Sequence, residues 1–359
     1  MKVLITGANG FVGGNVSRYL MAQGIECFAL DVKGAPEQGS YVARYDWDGL
    51  DALDIDLFDA VIHLAGKAHD TKNTGDPQSY FDINVGLTKR ILEKCANETP
   101  RQGEAVPKQC AHSRIRALKF IFFSSVKACA DTVEGVLTEE CEPNPQTPYG
   151  KSKLEAEGEV LKCESAKVLK CNNPDMQSSA FKEDLPNFRT LELKNSRTYI
   201  LRPAMIHGPG NKGNLNLLVK TVQRGIPWPL GAFDNMRSFT SVENVSRVLE
   251  ALLKEDVAPG IYQVADDQPL STNQVIGLIA EALKRKSKIW RIPCGLMRGV
   301  ARMGDLLHLP LNSERLKKLT ESYVVSNAKL LRALGWQKMP IGAEEGISAT
   351  IIATTKWSQ

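Results

Sequence analysis

The 359-residue sequence has no Cys-x-x-Cys pair among its eight cysteines. Cys110, His112, Cys163 and Cys171 are spaced too irregularly for a compact zinc knuckle, so no metal site is expected. No basic segment leads into an apolar core and a cleavage site, and no apolar run approaches the ~18 residues that would cross a bilayer. The expectation is therefore a cytoplasmic protein with reduced thiols and no membrane insertion. Charge of one sign is also scarce: the net is +4. With no basic stripe and no acidic tail, a nucleic-acid partner is not expected. The short basic runs at 114–119 and 284–288 read as solvated faces. No internal repeat of diagnostic period is present. What remains is 43% hydrophobic and 24% charged residues, enough for one large domain and a smaller lobe.

The chain opens on a short apolar run, 2–6, followed by an amphipathic stretch over 11–23 with Gly24 as its stop. Further strands are predicted over 26–31, 59–65 and 120–124, and helices over 77–98 and from Tyr149 to about Lys162. The strand runs are apolar without alternation, as in a parallel sheet covered on both faces. Strand–helix repetition of this kind predicts an α/β fold, a doubly wound Rossmann-type parallel sheet. Strands at 198–202 and 260–264 and helices at 214–225, 242–254 and 272–284 follow. The domain expectation is 1–200 for a dinucleotide-binding domain and 201–359 for a smaller α/β substrate lobe, partly interleaved with the first. Polar stretches near 99–118 and 163–195 read as insertions on the surface.

Three landmarks carry chemistry. Gly7, Gly10 and Gly13, in Gly7-Ala8-Asn9-Gly10-Phe11-Val12-Gly13, lie between a strand and a helix. There they allow a tight turn, close approach to a pyrophosphate, and a helix N-terminus aimed at it. Asp31 ends the second strand 18 residues beyond Gly13. Its carboxylate can accept both hydroxyls of an adenosine ribose and would repel a 2′-phosphate, which favours NAD; Lys33 keeps NADP as the second choice. Asp46 and Trp47 border the adenine, where Asp46 either accepts the amino group or faces solvent. Leu64, Ala65 and Gly66 pass beneath the dinucleotide, and Lys67 points to phosphate or substrate.

The other two landmarks are Ser124-Ser125, closing a strand, and Tyr149-Gly150-Lys151-Ser152-Lys153. Tyr149 and Lys153 are four apart and share a helix face. A lysine beside a tyrosine favours the phenolate. Tyr149 can then exchange a proton with a sugar hydroxyl as NAD exchanges hydride with the same carbon, while Ser125 orients that oxygen. Ser124 faces the other way, toward packing or cofactor.

With these residues in this order, the chain resembles the extended short-chain dehydrogenase/reductase family, and more narrowly its UDP-glucose 4-epimerase-like branch. The resemblance implies a Rossmann domain, a sugar-nucleotide lobe, NAD, a UDP-sugar substrate and a homodimer. It implies that Asn84, in Ile83-Asn84-Val85-Gly86, supports the site and positions Lys153. It also implies that Pro203 touches the nicotinamide, that Asn214, Leu215 and Asn216 meet the nucleotide, and that Arg237 holds the substrate diphosphate.

The sequence departs from the family's pattern after Ser125. Val126-Lys127 stands where dehydratases carry Asp-Glu, so 4,6-dehydration is not expected. Lys127 is expected to project toward the substrate. The leading expectation is C4 epimerisation of a UDP-hexose or UDP-N-acetylhexosamine through a 4-keto intermediate. The alternative is an NAD(P)H-dependent reductase of a nucleotide-linked 4-keto-6-deoxy sugar. A third reading is an inactive nucleotide-sugar or NAD sensor.

Overall fold

The computed structural model of the protein describes residues 1–67, 76–96, 118–171, 197–211, 213–307 and 312–356. The insertion at 99–118 and most of that at 163–195 lie outside the described residues. The strands are β1 (Lys2–Thr6), β2 (Glu26–Asp31), β3 (Ala43–Asp46), β4 (Ala60–His63), β5 (Lys119–Phe123), β6 (Val136–Leu137), β7 (Arg197–Pro203), β8 (Met205–His207), β9 (Met236–Arg237), β10 (Phe239–Ser241), β11 (Gly260–Val264), β12 (Leu270–Ser271) and β13 (Val324–Val325). Seven of them form one sheet in the order β11-β7-β5-β4-β1-β2-β3. The pairings from β3 through to β7 are all parallel. The order reverses at β1, which places the outlets of β1 and β4 at the crevice where doubly wound sheets take ligands.

Two compact units emerge, one of residues 1–131, 143–202 and 258–261 and the other of 132–142, 203–257 and 262–359. In the first, the helices are α1 (Phe11–Ala22), α2 (Gln78–Ala96) and α3 (Pro148–Cys171). The strands β1, β4 and β5 are buried along nearly their whole length, as their uninterrupted Val, Ile, Leu and Phe content requires. Leu4, Val61, Phe120 and Phe122 pack with Ile91 and Leu92 of α2 and Ala156 and Val160 of α3 in one apolar cluster. The sequence stops α3 near Lys162, yet the helix runs on to Cys171. The polar residues past 162 do not break a helix, since Glu, Lys, Ala and Leu all propagate one. The strand β3, unforeseen in the sequence, is a four-residue edge strand with no fully buried side chain. A strand with no apolar face leaves no period to read.

One buried polar chain runs through this unit. His63 is fully buried; its Nδ1 is 2.7 Å from Thr6 Oγ1 and its Nε2 3.0 Å from Thr88 Oγ1. The Thr88 hydroxyl donates to the Asn84 carbonyl and Thr6 Oγ1 accepts from the Ala65 amide. Thr88 therefore accepts from Nε2–H, and Thr6 donates to Nδ1. Burial, with the Lys153 ammonium adding to it, pushes the His63 imidazole down to about 3, so it is neutral in the fold. The unfolded chain takes up this proton near its ordinary pKa, well before the folded chain does. Stability is complete above that ordinary value and falls as pH drops, by about 1.4 kcal/mol per pH unit. Urea unfolding between about pH 7 and pH 4 should show this one-proton slope, and His63→Gln should flatten it. An equal slope in the variant would assign the acid loss to other groups.

The second unit holds α4 (Asn214–Gln223), α5 (Val242–Lys254), α6 (Thr272–Ala282), α7 (Cys294–Leu307), α8 (Ser313–Thr320), α9 (Ala328–Leu334) and α10 (Ala343–Lys356). Two-stranded ribbons β10–β8, β12–β9 and β13–β6 tie it together. Its core joins Leu215 and Val219 of α4, Val275, Ile276 and Ile279 of α6, and Ile347 and Ile351 of α10. Ser271 starts α6 with a capping box closed by Gln274. Asp266 fixes the start of α5, accepting from the Ser241 amide at 3.1 Å and from Asn244 Nδ2 at 2.7 Å.

Candidate active site

The glycine-rich turn is built against β4's outlet. Gly7 has φ +64° and its backbone lies so close to Ala65 that a Cβ would stand 2.7 Å from the Ala65 nitrogen. Only glycine satisfies both conditions. Gly10 is the residue before α1 and no side chain caps that helix, so the first-turn amides at Phe11, Val12 and Gly13 form an anion-accepting end. The Tyr41 hydroxyl, which the sequence reading missed, donates to the Ala8 and Gly13 carbonyls at 2.7 and 3.0 Å and pins the turn from outside. Asp31 Oδ2 accepts from the Asn9 amide at 2.6 Å and Oδ1 from the Val32 amide at 2.8 Å. Asn9 also accepts from Arg44 Nη1 at 2.9 Å, so a carboxylate and a guanidinium meet on one asparagine.

Asp46 lies at a solvent-facing turn, one of the two readings of the sequence, and Trp47 lies in the core. Asp46 caps the short helix over 47–52, accepting from the Gly49 amide at 2.9 Å. Trp47 is buried in the apolar cluster with Leu50 and Phe58, and Arg90 Nη2 donates to its carbonyl at 2.8 Å. The Trp47 ring is a core side chain, drawn inward by its apolar area.

The catalytic candidates converge in the first unit. Ser125 ends β5's outgoing run, and α3 begins at Pro148, so Tyr149 and Lys153 lie on its first turns. Tyr149 is half-buried, hydrogen-bonded to the Ser125 side chain, and stacked edge-on against Tyr80 with centroids 6.1 Å apart. Burial pushes its hydroxyl above the ordinary tyrosine value; the Ser125 hydrogen bond opposes this without overcoming it, and Tyr80 adds to the rise. Lys153 Nζ donates to the Phe123 carbonyl at 2.9 Å, and Tyr149 stays a neutral phenol. Burial pushes Lys153 down to about 8, opposed by Glu157.

Asn84 braces this group. Its Oδ1 accepts from the Lys67 amide at 2.7 Å and its Nδ2 donates to Ser152 Oγ at 2.9 Å, next to Lys153. A Cβ on Gly66 would meet Asn84 Oδ1 at 2.7 Å and Lys153 Nζ at 3.1 Å, so the glycine keeps this corner open. Lys67 Nζ donates to Ser79 Oγ at 2.5 Å and lies 4.6 Å above the Tyr80 ring. Lys127, expected to project to substrate, instead donates from Nζ to the Asp131 carbonyl at 2.7 Å. The short helical turn over 126–128 bends its backbone back on itself. Asp131 also accepts from the amides of Gln146 and Thr147, fixing the lead-in to α3.

Behind the group lies an ion pair that the sequence did not reveal. Glu157, one turn beyond Lys153, is 1% exposed and Arg202 of β7 is 3% exposed. Arg202 grips both Glu157 oxygens, through Nε at 2.9 Å and Nη2 at 2.5 Å, and reaches Cys129 Sγ at 2.9 Å through Nη1. Ser124 Oγ donates to Glu157 Oε1, which gives Ser124 a structural partner. Pro203 closes β7 directly after Arg202.

In the second unit, Arg237 donates from Nε to the Glu321 carbonyl at 3.1 Å and from Nη2 to the Lys318 carbonyl. Burial lowers its pKa, with Glu321 opposing; an arginine remains charged at any relevant pH. A cavity of about 360 Å³ in the same unit is lined by Phe233, Arg298, Arg302, Lys317 and Thr320. Asn214 opens α4, and its side chain lies outside the described residues. Leu215 is buried in the core, which leaves its backbone alone for any ligand. Asn216 Nδ2 donates to the Asn211 carbonyl. Among the described residues no group of acidic, histidine and cysteine side chains could hold a metal ion.

Residues 3–174 match the NAD dependent epimerase/dehydratase family. That family's match covers the N-terminal, dinucleotide-binding part of the chain. The family's members are extended short-chain dehydrogenase/reductases, NAD-dependent epimerases, dehydratases and reductases, so this protein is an enzyme of that class. It is 25% identical to UDP-glucose 4-epimerase of Vibrio cholerae over 97% of this chain and 94% of that one. It is 25% identical to GDP-6-deoxy-D-mannose reductase of Pseudomonas aeruginosa over 84% of this chain and 86% of that one. Its fold matches the UDP-glucose 4-epimerase of Thermus thermophilus in complex with NAD, with a TM-score of 0.66, 21% identity, and 99% of each chain covered. NAD is the cofactor of the family, and the uncapped start of α1 with the carboxylate of Asp31 is chemically suited to it. Within this epimerase/dehydratase chain, Val126-Lys127 follows Ser125 as a tight helical turn with no carboxylate.

Proposed function

We propose that this protein moves hydride between NAD and C4 of a nucleotide-linked sugar, and that it does so as a C4 epimerase acting on a UDP-sugar. The observation that carries the reading is the Ser125–Tyr149 hydrogen bond, with Lys153 one helical turn further on. In this reading the amides at the start of α1 and the carboxylate of Asp31 hold the dinucleotide. The bound NAD supplies the hydride acceptor. Ser125 orients the C4 oxygen and Tyr149 takes or returns its proton. Lys153 supplies positive charge that favours the tyrosine anion during proton removal. Asn84 and Gly66 keep Lys153 in place. In the second unit, Arg237 takes the diphosphate, where a forked guanidinium suits two phosphates. Epimerisation requires the sugar to present both faces, so the nucleotide end must carry the binding.

A second reading has one observation in its favour. A Tyr149 held as a neutral phenol by burial is already a proton donor, which is what reduction of a 4-keto sugar needs. The relative with a GDP-6-deoxy-D-mannose reductase activity is in keeping with that direction.

Protein purified without added nucleotide should release near-stoichiometric NAD on denaturation and interconvert UDP-glucose or UDP-N-acetylglucosamine with its C4 epimer, without external cofactor. An empty protein that epimerises neither, even with NAD added, but oxidises NADH or NADPH with a nucleotide-linked 4-keto-6-deoxy sugar, would replace the epimerase by the reductase.

A further inference from the structure

The helix α7 carries an apolar stripe that no described residue covers. Leu296, Val300, Met303 and Leu307 are spaced four, three and four apart, and Leu306 flanks them. These side chains, together with Trp290 just before the helix, are between 41% and 78% exposed. The adjoining stripe of the same helix is ordinary core: Met297 and Ala301 pack with Leu230 and Leu316. Single exposed leucines are unremarkable on a protein surface, but six large apolar side chains on one helix and its approach form a patch of the kind that marks an interaction.

The charges around the stripe say what it meets. Residues 284–318 contain ten lysines and arginines against two acids, a net of +8 in a chain whose whole net charge is +4. The remainder of the chain is therefore net acidic. All ten cations are exposed: Lys284, Arg285, Lys286, Lys288 and Arg291 precede α7, Arg298 and Arg302 stand on it, and three more lie on α8. A second copy of this surface would bring like charge against like charge. An anionic bilayer complements both features, with hydrocarbon for the stripe and phosphate for the excess positive charge.

We propose that α7 is a membrane-surface helix, by which the second unit docks on a bilayer rich in anionic phospholipid. Its fourteen residues are too short to span, and among the described residues no helix is long and apolar enough to cross a membrane. The helix lies along the interface instead, with Leu296, Val300, Met303 and Leu307 dipping below the headgroups and Lys284, Lys286 and Lys288, which precede the helix, reaching phosphates. The inference stands independently of which sugar the enzyme acts on.

The test uses the full-length protein and sedimented vesicles. Wild type is expected to co-sediment with phosphatidylglycerol–phosphatidylcholine vesicles and to stay in solution with phosphatidylcholine alone, and salt should release it. Met303→Glu combined with Leu307→Glu should weaken binding by at least about tenfold, with unchanged thermal unfolding and unchanged activity on a soluble substrate. Lys284→Gln, Lys286→Gln and Lys288→Gln together should weaken binding to the anionic vesicles while leaving the apolar face intact. Absence of wild-type binding to anionic vesicles would overturn the proposal. So would a dimer in sedimentation velocity that the double glutamate variant dissolves, since a second copy would then cover the stripe.

Discussion

Tyr149→Phe is expected to lower turnover by about 10³-fold and to leave NAD binding as it is. The hydroxyl is a titratable group hydrogen-bonded to Ser125 at the mouth of β5, and its ring stacks edge-on against Tyr80. The phenylalanine ring keeps the edge-on packing, so the fold and the dinucleotide turn around Gly7 are undisturbed. Ser125→Ala should cost less, since it removes an orienting hydrogen bond and leaves the proton carrier in place. The check is single-turnover kinetics alongside NAD retention on denaturation. Activity within about tenfold of wild type would remove Tyr149 from the proton-transfer role.

Arg202→Met is expected to destabilise the protein by about 3–5 kcal/mol, because it strands a buried carboxylate. Glu157 is 1% exposed and its two oxygens are held by Arg202, with the Ser124 hydroxyl also donating to it. A methionine fills the arginine's stem and leaves the charge uncompensated. Adding Glu157→Gln should recover part of the loss, since neutralising both partners removes the desolvated charge. Urea midpoints for the two singles and the double read this out, and a double variant no better than Arg202→Met would refute the ion-pair account. The same pair reaches the chemistry. Glu157 holds up the Lys153 pKa, which burial has pushed down to about 8. If Lys153 acts as a cation, activity falls as pH rises through that value. Glu157→Gln alone should then move the falling limb of kcat/KM to lower pH.

Much of the active-site framework was readable from local spacing. The glycine turn, the Ser125 strand end, Tyr149 and Lys153 each sit within a few residues of an element boundary, where period and punctuation speak directly. Asp31 was readable for the same reason, at the end of an apolar strand. The sequence could not show where long side chains fold. Lys127 returns to the Asp131 carbonyl four residues away, a local event decided by the turn over 126–128. Trp47 enters the apolar cluster that also holds Ile91 and Leu92 of α2, and Arg90 of that helix donates to its carbonyl, an encounter between residues more than forty positions apart. The protonation of Tyr149 belongs here too: Tyr-x-x-x-Lys spacing places the two on one face, but burial and the Phe123 carbonyl decide where the lysine's charge is spent.

The sequence by itself determined the parallel α/β architecture, through apolar runs that make sense only when both faces are covered. It also carried the family resemblance, through motifs that need nothing beyond their own neighbours in the chain. Tertiary structure alone decided that Glu157 and Arg202, 45 residues apart, become one buried pair beneath Lys153. It alone decided that Tyr41 clasps the glycine turn, and that α7 turns one of its two apolar stripes to solvent. The physical reason is the same in each case. A period in sequence says that a face is apolar, but only the packing of distant elements says whether anything in the protein covers it.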